Sequence, residues 1–364
     1  MNDYKRFYQR SRVSYYRGII MKEQKTRDYY FDNFKAILIL FVVLGHFLAP
    51  LQNKYHIVDV TVTYIYFFHM PAFVFVCGYF SKKNDWVKLV KTLLIPYVAF
   101  QVIEAFLVAY VKQEPRVFRM VYPKFSLWFL LALFIWRLVI NELSRVKGLF
   151  VWAMMFALAA GFESSINSYL ALSRTIVFFP FFVAGYQFNK EKFLALCEKW
   201  KGRLVGSVVL TGFGIACYYV VYRLPLSYLT YKAGYGKHAY GDKTVFIRLI
   251  TIMISFVLIA AIAAVVPRKK HWFSYIGERT MTVYLLHSQV YLFLLHGTSI
   301  YDFWEKPYFV LAVVAFSVGL VWLLSQKPFD FFMKTLMSAP LECFIKGEED
   351  GRYQDPLCKG QPEV

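Results

Sequence analysis

The sequence predicts an all-α, polytopic integral membrane protein with about ten transmembrane helices and both termini in the cytoplasm. Three observations predict it. Hydrophobic residues make up 58% of the 364 and aromatic residues 20%, against 18% charged, which is too apolar for a soluble domain of this length. The apolar residues come in runs near twenty residues long, enough to cross a hydrocarbon core. Lys and Arg gather in short loops between alternate runs, as they do on the cytoplasmic side of a bilayer. The net charge of +19 is therefore read as a basic collar on a membrane protein and not as a nucleic-acid interface.

Residues 1–33 form a basic arm (Lys5, Arg6, Arg10, Arg12, Arg17, Lys22, Lys25 and Arg27) that is expected in the cytoplasm. The membrane domain is expected over 34–326. Its first run lacks a small-residue cleavage site and is read as a retained span, 34–50. Span 2 covers 62–80 and contains Pro71, which predicts a kink. Span 3 covers 88–110, with Lys88 and Lys91 at its start. The loop 111–126 that follows is basic although the other loops place it outside. Span 4 (127–142), a short span 5 (148–161) and span 6 (174–188) lead into a Lys-rich inner loop, 189–203. Span 7 (204–222) precedes a Tyr- and Gly-rich outer loop, 223–243, suited either to contacting a sugar or to capping the domain with interfacial tyrosines. Spans 8 to 10 (244–266, 279–296 and 307–324) lead to a cytoplasmic tail, 327–364. Within it FDFFMKTLM has the pattern of a surface-lying amphipathic helix. The five cysteines fall in spans or on the cytoplasmic side, and neither disulfides nor a zinc site is expected.

Ionisable residues inside spans are costly, so they are the candidates for function. The first span carries Lys35 at its start and His46 eleven positions later, about 16 Å along a helix. Spans 1 and 3 run outward and span 2 inward, which brings His46, His69 and Glu104 to a similar depth in the outer half. His287, in span 9, lies nearer the middle, where a histidine also serves as a helix-to-helix hydrogen-bond partner. His56 and His296 lie near the surfaces. Trp128 and Trp322 suit an interfacial belt or packing.

With these residues the chain resembles membrane-bound acyltransferase family 3, and within it the fucose 4-O-acetylase-like branch. The resemblance is carried by FDNFKAILILFVVLGHF, FFHMPAFVFVCGYFSKK, SLWFLLALF, FFPFFVAGYQF and YIGERTMTVYLLHSQV, in the family's order. It implies an enzyme that moves an acyl group, usually acetyl from acetyl-CoA, to a hydroxyl of a surface polysaccharide or lipid-linked oligosaccharide. The setting it implies is a bacterial inner membrane, with polysaccharide assembly machinery as a partner. Lys35 and His46 match the family's basic residue and catalytic histidine. Lys88 and Lys91 stand where many members carry arginines, a weaker phosphate clamp.

In this reading His46 is the general base, with an ordinary pKa of about 6.5 suited to the task. Glu104 or His69 orients it. Lys35, Lys88, Lys91, Arg137 and Arg279 meet the phosphates of acetyl-CoA at the cytoplasmic face. Trp128, Arg174, Tyr284 and His287 are the candidates for binding the acceptor. No metal is expected. Two other classes fit the apolar pattern: a proton-coupled transporter of a lipid-linked sugar or small solute, and a non-catalytic scaffold. The transporter lacks the inverted repeat that class often shows.

Overall fold

The computed structural model describes residues 27–82, 85–113, 120–163, 169–232, 234–237, 241–306 and 308–338. The described residues are helical, with no strand among them. Most of the basic arm and the tail beyond residue 338 lie outside them, as do Arg116 and Arg119 of the basic loop.

Helix α1 (Tyr29–Leu48) starts five residues before the expected span. Asp28 caps it by accepting from the Tyr30 amide at 3.2 Å, and Asp32 lies in its first turn. Residues 30–33, read from sequence as part of the polar arm, are buried because their polar groups find partners. Asn33 donates to the carbonyls of Pro267 and Lys269 at 2.9 and 2.8 Å, and its amide oxygen accepts from Ser274 Oγ at 2.6 Å. The Asp32 carboxylate pairs with Arg27 at 2.7 Å and Lys35 at 3.0 Å.

Helix α2 (His56–Tyr79) also starts early, and Pro71 lies inside it with helix on both sides. Helix α3 (Trp86–Lys112) contains a π-helical turn, Val90–Leu94, just before Pro96. Proline has no N–H for the regular ladder, and a π-turn is one way of absorbing that loss. Then come α4 (Trp128–Leu143), α5 (Leu149–Ala159) and α6 (Leu172–Gln187). The Lys-rich loop is itself partly helical, α7 (Lys190–Lys199), capped by Asn189. The remaining α-helices of more than five residues are α8 (Gly202–Tyr219), α9 (Thr244–Val265), α10 (Thr280–Gly297), α11 (Phe309–Leu324) and α12 (Lys327–Ser338).

Six of the described helices, α1, α2, α3, α6, α8 and α9, are long and apolar enough to cross a membrane. The pair α11 and α12, bent by 59°, adds a seventh if taken as one span. Helices α4 and α5 are short, at 16 and 11 residues. Helix α10 is diluted by His287, Ser288, Gln289 and His296. These properties make the chain a polytopic membrane protein.

Helix α2 is the centre of the bundle. It is 78% buried over its apolar window, against 11% for the peripheral α8. Helices α2 and α6 cross in backbone contact. A Cβ at Gly78 would overlap the Phe182 carbonyl, and one at Gly185 would overlap the Phe75 carbonyl. Phe75 and Tyr79 meet Phe188 at one end, while His69, Met70, Arg174 and Phe178 share a cavity at the other. The two helices therefore run in the same direction. Ser255 of α9 donates to the Phe67 carbonyl at 2.6 Å, and Trp136 of α4 donates to the Thr175 carbonyl at 2.8 Å, tying both neighbours to this pair.

Gly185→Ala should force the α2–α6 crossing apart and cost about 3 kcal/mol. Its melting temperature in detergent should fall by several degrees. An unchanged value would mean that the crossing relaxes freely.

Candidate active site

A cavity of about 120 Å³ lies at the opposite end of α1 from Asp32 and Lys35. Five helices and two loops build its wall. Helix α1 contributes His46, α2 contributes Tyr66, His69 and Met70, and α10 contributes Tyr284 and Tyr291. Trp128 begins α4, and Arg174 and Phe178 stand in the first half of α6. Gly45 permits the approach of α1 to α2, because a side chain there would press on Ile65 and Tyr66.

The His46 ring centre lies 5.4 Å from that of His287, 6.5 Å from His69 and 6.4 Å from Tyr66. Phe125 and Tyr291 complete the ring of neighbours at 4.7 and 6.1 Å. The structure thus brings together three of the sequence-predicted histidines, and the one read as nearer mid-membrane is the closest to His46. His69 Nδ1 lies 2.8 Å from the Ile65 carbonyl, and His287 Nδ1 lies 3.0 Å from the Val283 carbonyl. A carbonyl oxygen only accepts, so both rings carry their proton on Nδ1 and leave Nε2 as a bare acceptor when neutral. His287 Nε2 is buried with no partner among the described residues.

Glu104 is fully buried, but it does not bond to His46 or His69. Its Oε1 accepts from Gln289 Nε2 at 3.2 Å and Ser288 Oγ at 3.4 Å, and its Oε2 has no partner among the described residues. It therefore braces α10 just beyond His287. The expected acceptor-side residues converge: Arg174 lies 4.4 Å over the Trp128 ring, and Tyr284 Oη donates to the Ser126 carbonyl.

The five cations expected to meet phosphate lie away from this cavity, towards the Asp32 end. Lys35 pairs with Asp32, and Arg27 bridges Asp32 and Glu278 at 2.7 and 3.0 Å. Arg279 donates to the Ser325 carbonyl at 2.6 Å and lies 3.7 Å from Asp330. Arg137 and Lys35 both lie within electrostatic reach of Cys77. Lys88 is exposed, and Lys91 belongs to the π-turn that packs on α4. No group of three metal-ligating side chains occurs among the described residues.

The loops supply what sequence reading missed. Tyr97 donates to the Met120 carbonyl and Gln101 to the Tyr122 carbonyl, which fixes the segment that carries Phe125. Phe125 adopts a left-handed φ of 31° and stacks on Tyr291 at 4.8 Å. Tyr228, Tyr231 and Tyr235 of the Tyr-rich loop turn inward. Tyr231 meets Thr251 at 3.0 Å, and Tyr235 donates to the Leu158 carbonyl at 2.7 Å. The Arg248 guanidinium lies 4.4 and 5.7 Å from the rings of Tyr235 and Tyr231. Leu229, Thr230 and Lys232 are thereby carried onto the cavity wall. Tyr291 was within reach of the sequence, since Tyr284, His287 and Tyr291 share a helix face at i, i+3 and i+7. Phe125 and Lys232 left no periodic signal.

A family model described as an acyltransferase domain, that of acyltransferase family 3, matches residues 28–326. The chain belongs to this family. No curated protein and no solved structure matches the chain. Family membership makes the protein a membrane acyltransferase, and its matched region starts within one residue of α1, including the turn that sequence reading had assigned to the arm.

Arg248→Met should loosen the loop by about 2 kcal/mol, the scale of a desolvated cation–π contact. Limited proteolysis between Tyr222 and Lys243 should accelerate accordingly. Unaltered cleavage would show that hydrogen bonds alone hold the loop.

Proposed function

We propose that the protein is an O-acetyltransferase of the fucose 4-O-acetylase-like branch. It moves acetyl from cytoplasmic acetyl-CoA to a hydroxyl of a surface polysaccharide or lipid-linked oligosaccharide. The observation that carries this reading is the placement of His46. It stands on the wall of a cavity, ringed by two bare imidazole acceptors and by tyrosines, at the far end of the helix that begins with Lys35.

In this reading His46 takes the proton from the acceptor hydroxyl as its oxygen attacks the thioester carbonyl. Tyr66 and Tyr291 line the same cavity, and a tyrosine hydroxyl suits the oxyanion that forms. When the tetrahedral intermediate collapses, the C–S bond breaks and the proton on His46 passes to the departing thiolate. The Nε2 of His287 can accept from the other nitrogen of His46 and so hold it in line. An imidazole pair joined by N–H···N has ring centres about 5 Å apart, close to the 5.4 Å observed.

The donor enters from the Asp32 end. There Lys35, Arg137, Lys88, Lys91 and Arg279 supply positive charge, and an extended pantetheine arm covers the length of α1 to His46. A helix occupies each of the ten segments read as spans, which supports a ten-span topology with both termini cytoplasmic in a bacterial inner membrane. The glycan then approaches from outside, and the assembly machinery that exports it is a natural partner.

The test is mass spectrometry of surface glycans in a deletion strain complemented with wild type or variants. Wild type should restore one acetyl mass per modified sugar. His46→Ala should lower it roughly 100-fold or more, and full restoration by that variant would sink the reading. His287→Asn, which keeps a polar group near the Val283 carbonyl but lacks Nε2, should lower the rate about tenfold, the value of one hydrogen bond.

A further inference from the structure

Charge on the cavity wall is one-sided. Arg174 and Lys232 both line it, and no Asp or Glu does among the described residues. Among the described residues neither cation makes an ion pair or donates a hydrogen bond there. Arg174 lies over the face of Trp128, at 4.4 Å. Lys232 is exposed as a whole residue, yet desolvation of its ammonium at the wall and the nearby Arg174 guanidinium lower its pKa from the ordinary lysine value. Two cations that repel each other beside a half-buried cavity are unfavourable unless a ligand brings the missing negative charge. The bare Nε2 acceptor of His69, on the same wall, cannot receive an anion; it receives an O–H or N–H group of whatever carries it.

The geometry points to an acidic acceptor: we infer that the glycan carries a carboxylate or phosphate that docks on Arg174 and Lys232 while one of its hydroxyls lies at His46. The inference rests on the acyltransferase reading and adds the substrate class. The donor's own phosphates fit poorly here. A thioester placed at His46 is separated from its phosphates by the whole pantetheine arm, and the other cations lie at the Asp32 end of α1. Arginine suits this role through its fork of donors, and stacking on Trp128 fixes the plane of the fork. Lysine adds a mobile point charge from the loop.

Two measurements on the full chain in nanodiscs test the inference. The first needs no catalysis: melting temperature is followed with glucuronate, glucose 1-phosphate or glucose. At least one of the two acidic sugars should raise it and glucose should not, and the rise should vanish in Arg174→Gln and shrink in Lys232→Gln. The second follows labelled acetyl from acetyl-CoA into extracted envelope glycan that is native, carboxyl-reduced or dephosphorylated. One of the two neutralised preparations should accept at least tenfold less. Arg174→Gln should raise the acceptor KM at least tenfold with the acetyl-CoA KM unchanged, and Arg174→Lys should recover part of the loss.

Equal use of native and neutralised glycan would overturn the inference, as would a rise in the acetyl-CoA KM alone, which assigns the cations to the donor. Absence of any acetyl transfer by wild type would defeat the acyltransferase reading. An acid-specific melting shift in that event would still assign the anion site.

Discussion

Where α2 and α6 cross, Gly78 and Gly185 leave no side chain between the two backbones, and each glycine faces a carbonyl of the other helix. Inside a bilayer, lipid tails compete with any apolar side chain for contact, so close backbone packing between small residues is what holds helices together. The rest of the bundle is hung on that crossing. It sets the distance between His69 and Arg174 at the cavity end. It also fixes the face of α2 that meets α1, where Gly45 makes a second close approach beside His46. Because α2 is the most buried of the long helices, an error in its position would be transmitted to both walls of the site.

Helix α1 is held from its two ends by different means. At its start, Asp32 and Asn33 place charge and an amide where neighbouring elements need partners. Asn33 gathers the 267–274 segment, and the carbonyl of Asp32 lies against Gly277, where no side chain fits. At its far end α1 passes into a 3-10 turn, Ala49–Leu51, and Tyr301 donates to the Phe47 carbonyl at 3.0 Å. His46 is therefore carried on a rigid rod whose ends are both tied, which suits a group that must be positioned rather than mobile.

Which polar residues share a level was partly legible in the sequence, since His46 and His69 do meet, and direction around each helix was not. The spacing of Lys35 and His46, with the loop charges, was enough to read His46, His69 and Glu104 as lying at one level, because rise per residue is fixed by helix geometry. Whether two residues at that level face each other depends on helix rotation and crossing, which local pattern does not encode. Glu104 shows the consequence. It was read as a partner for His46 and instead lies on Ser288 and Gln289, one residue beyond His287. The helix starts were misread for a related reason. Tyr30 to Asn33 look like a polar arm until Pro267, Lys269 and Ser274 arrive from more than two hundred residues away to satisfy them. The loops were the least legible part, since Phe125 and Lys232 reach the cavity through hydrogen bonds and ring contacts with no sequence period.

The two ends of the site handle positive charge in opposite ways. At the Asp32 end, carboxylates meet several of the cations: Lys35 and Arg27 share Asp32, Arg27 adds Glu278, and Arg279 lies near Asp330. These pairs satisfy polar groups where helices converge. At the cavity end, no described carboxylate lines the wall that carries Arg174 and Lys232. Had Glu104 turned towards His46, it would have brought negative charge next to these cations and repelled an acidic ligand. Its engagement by Ser288 and Gln289 keeps that carboxyl group behind His287 instead. The same placement leaves His46 open to the cavity, so one buried contact on α10 bears on both the imidazole and the field around it.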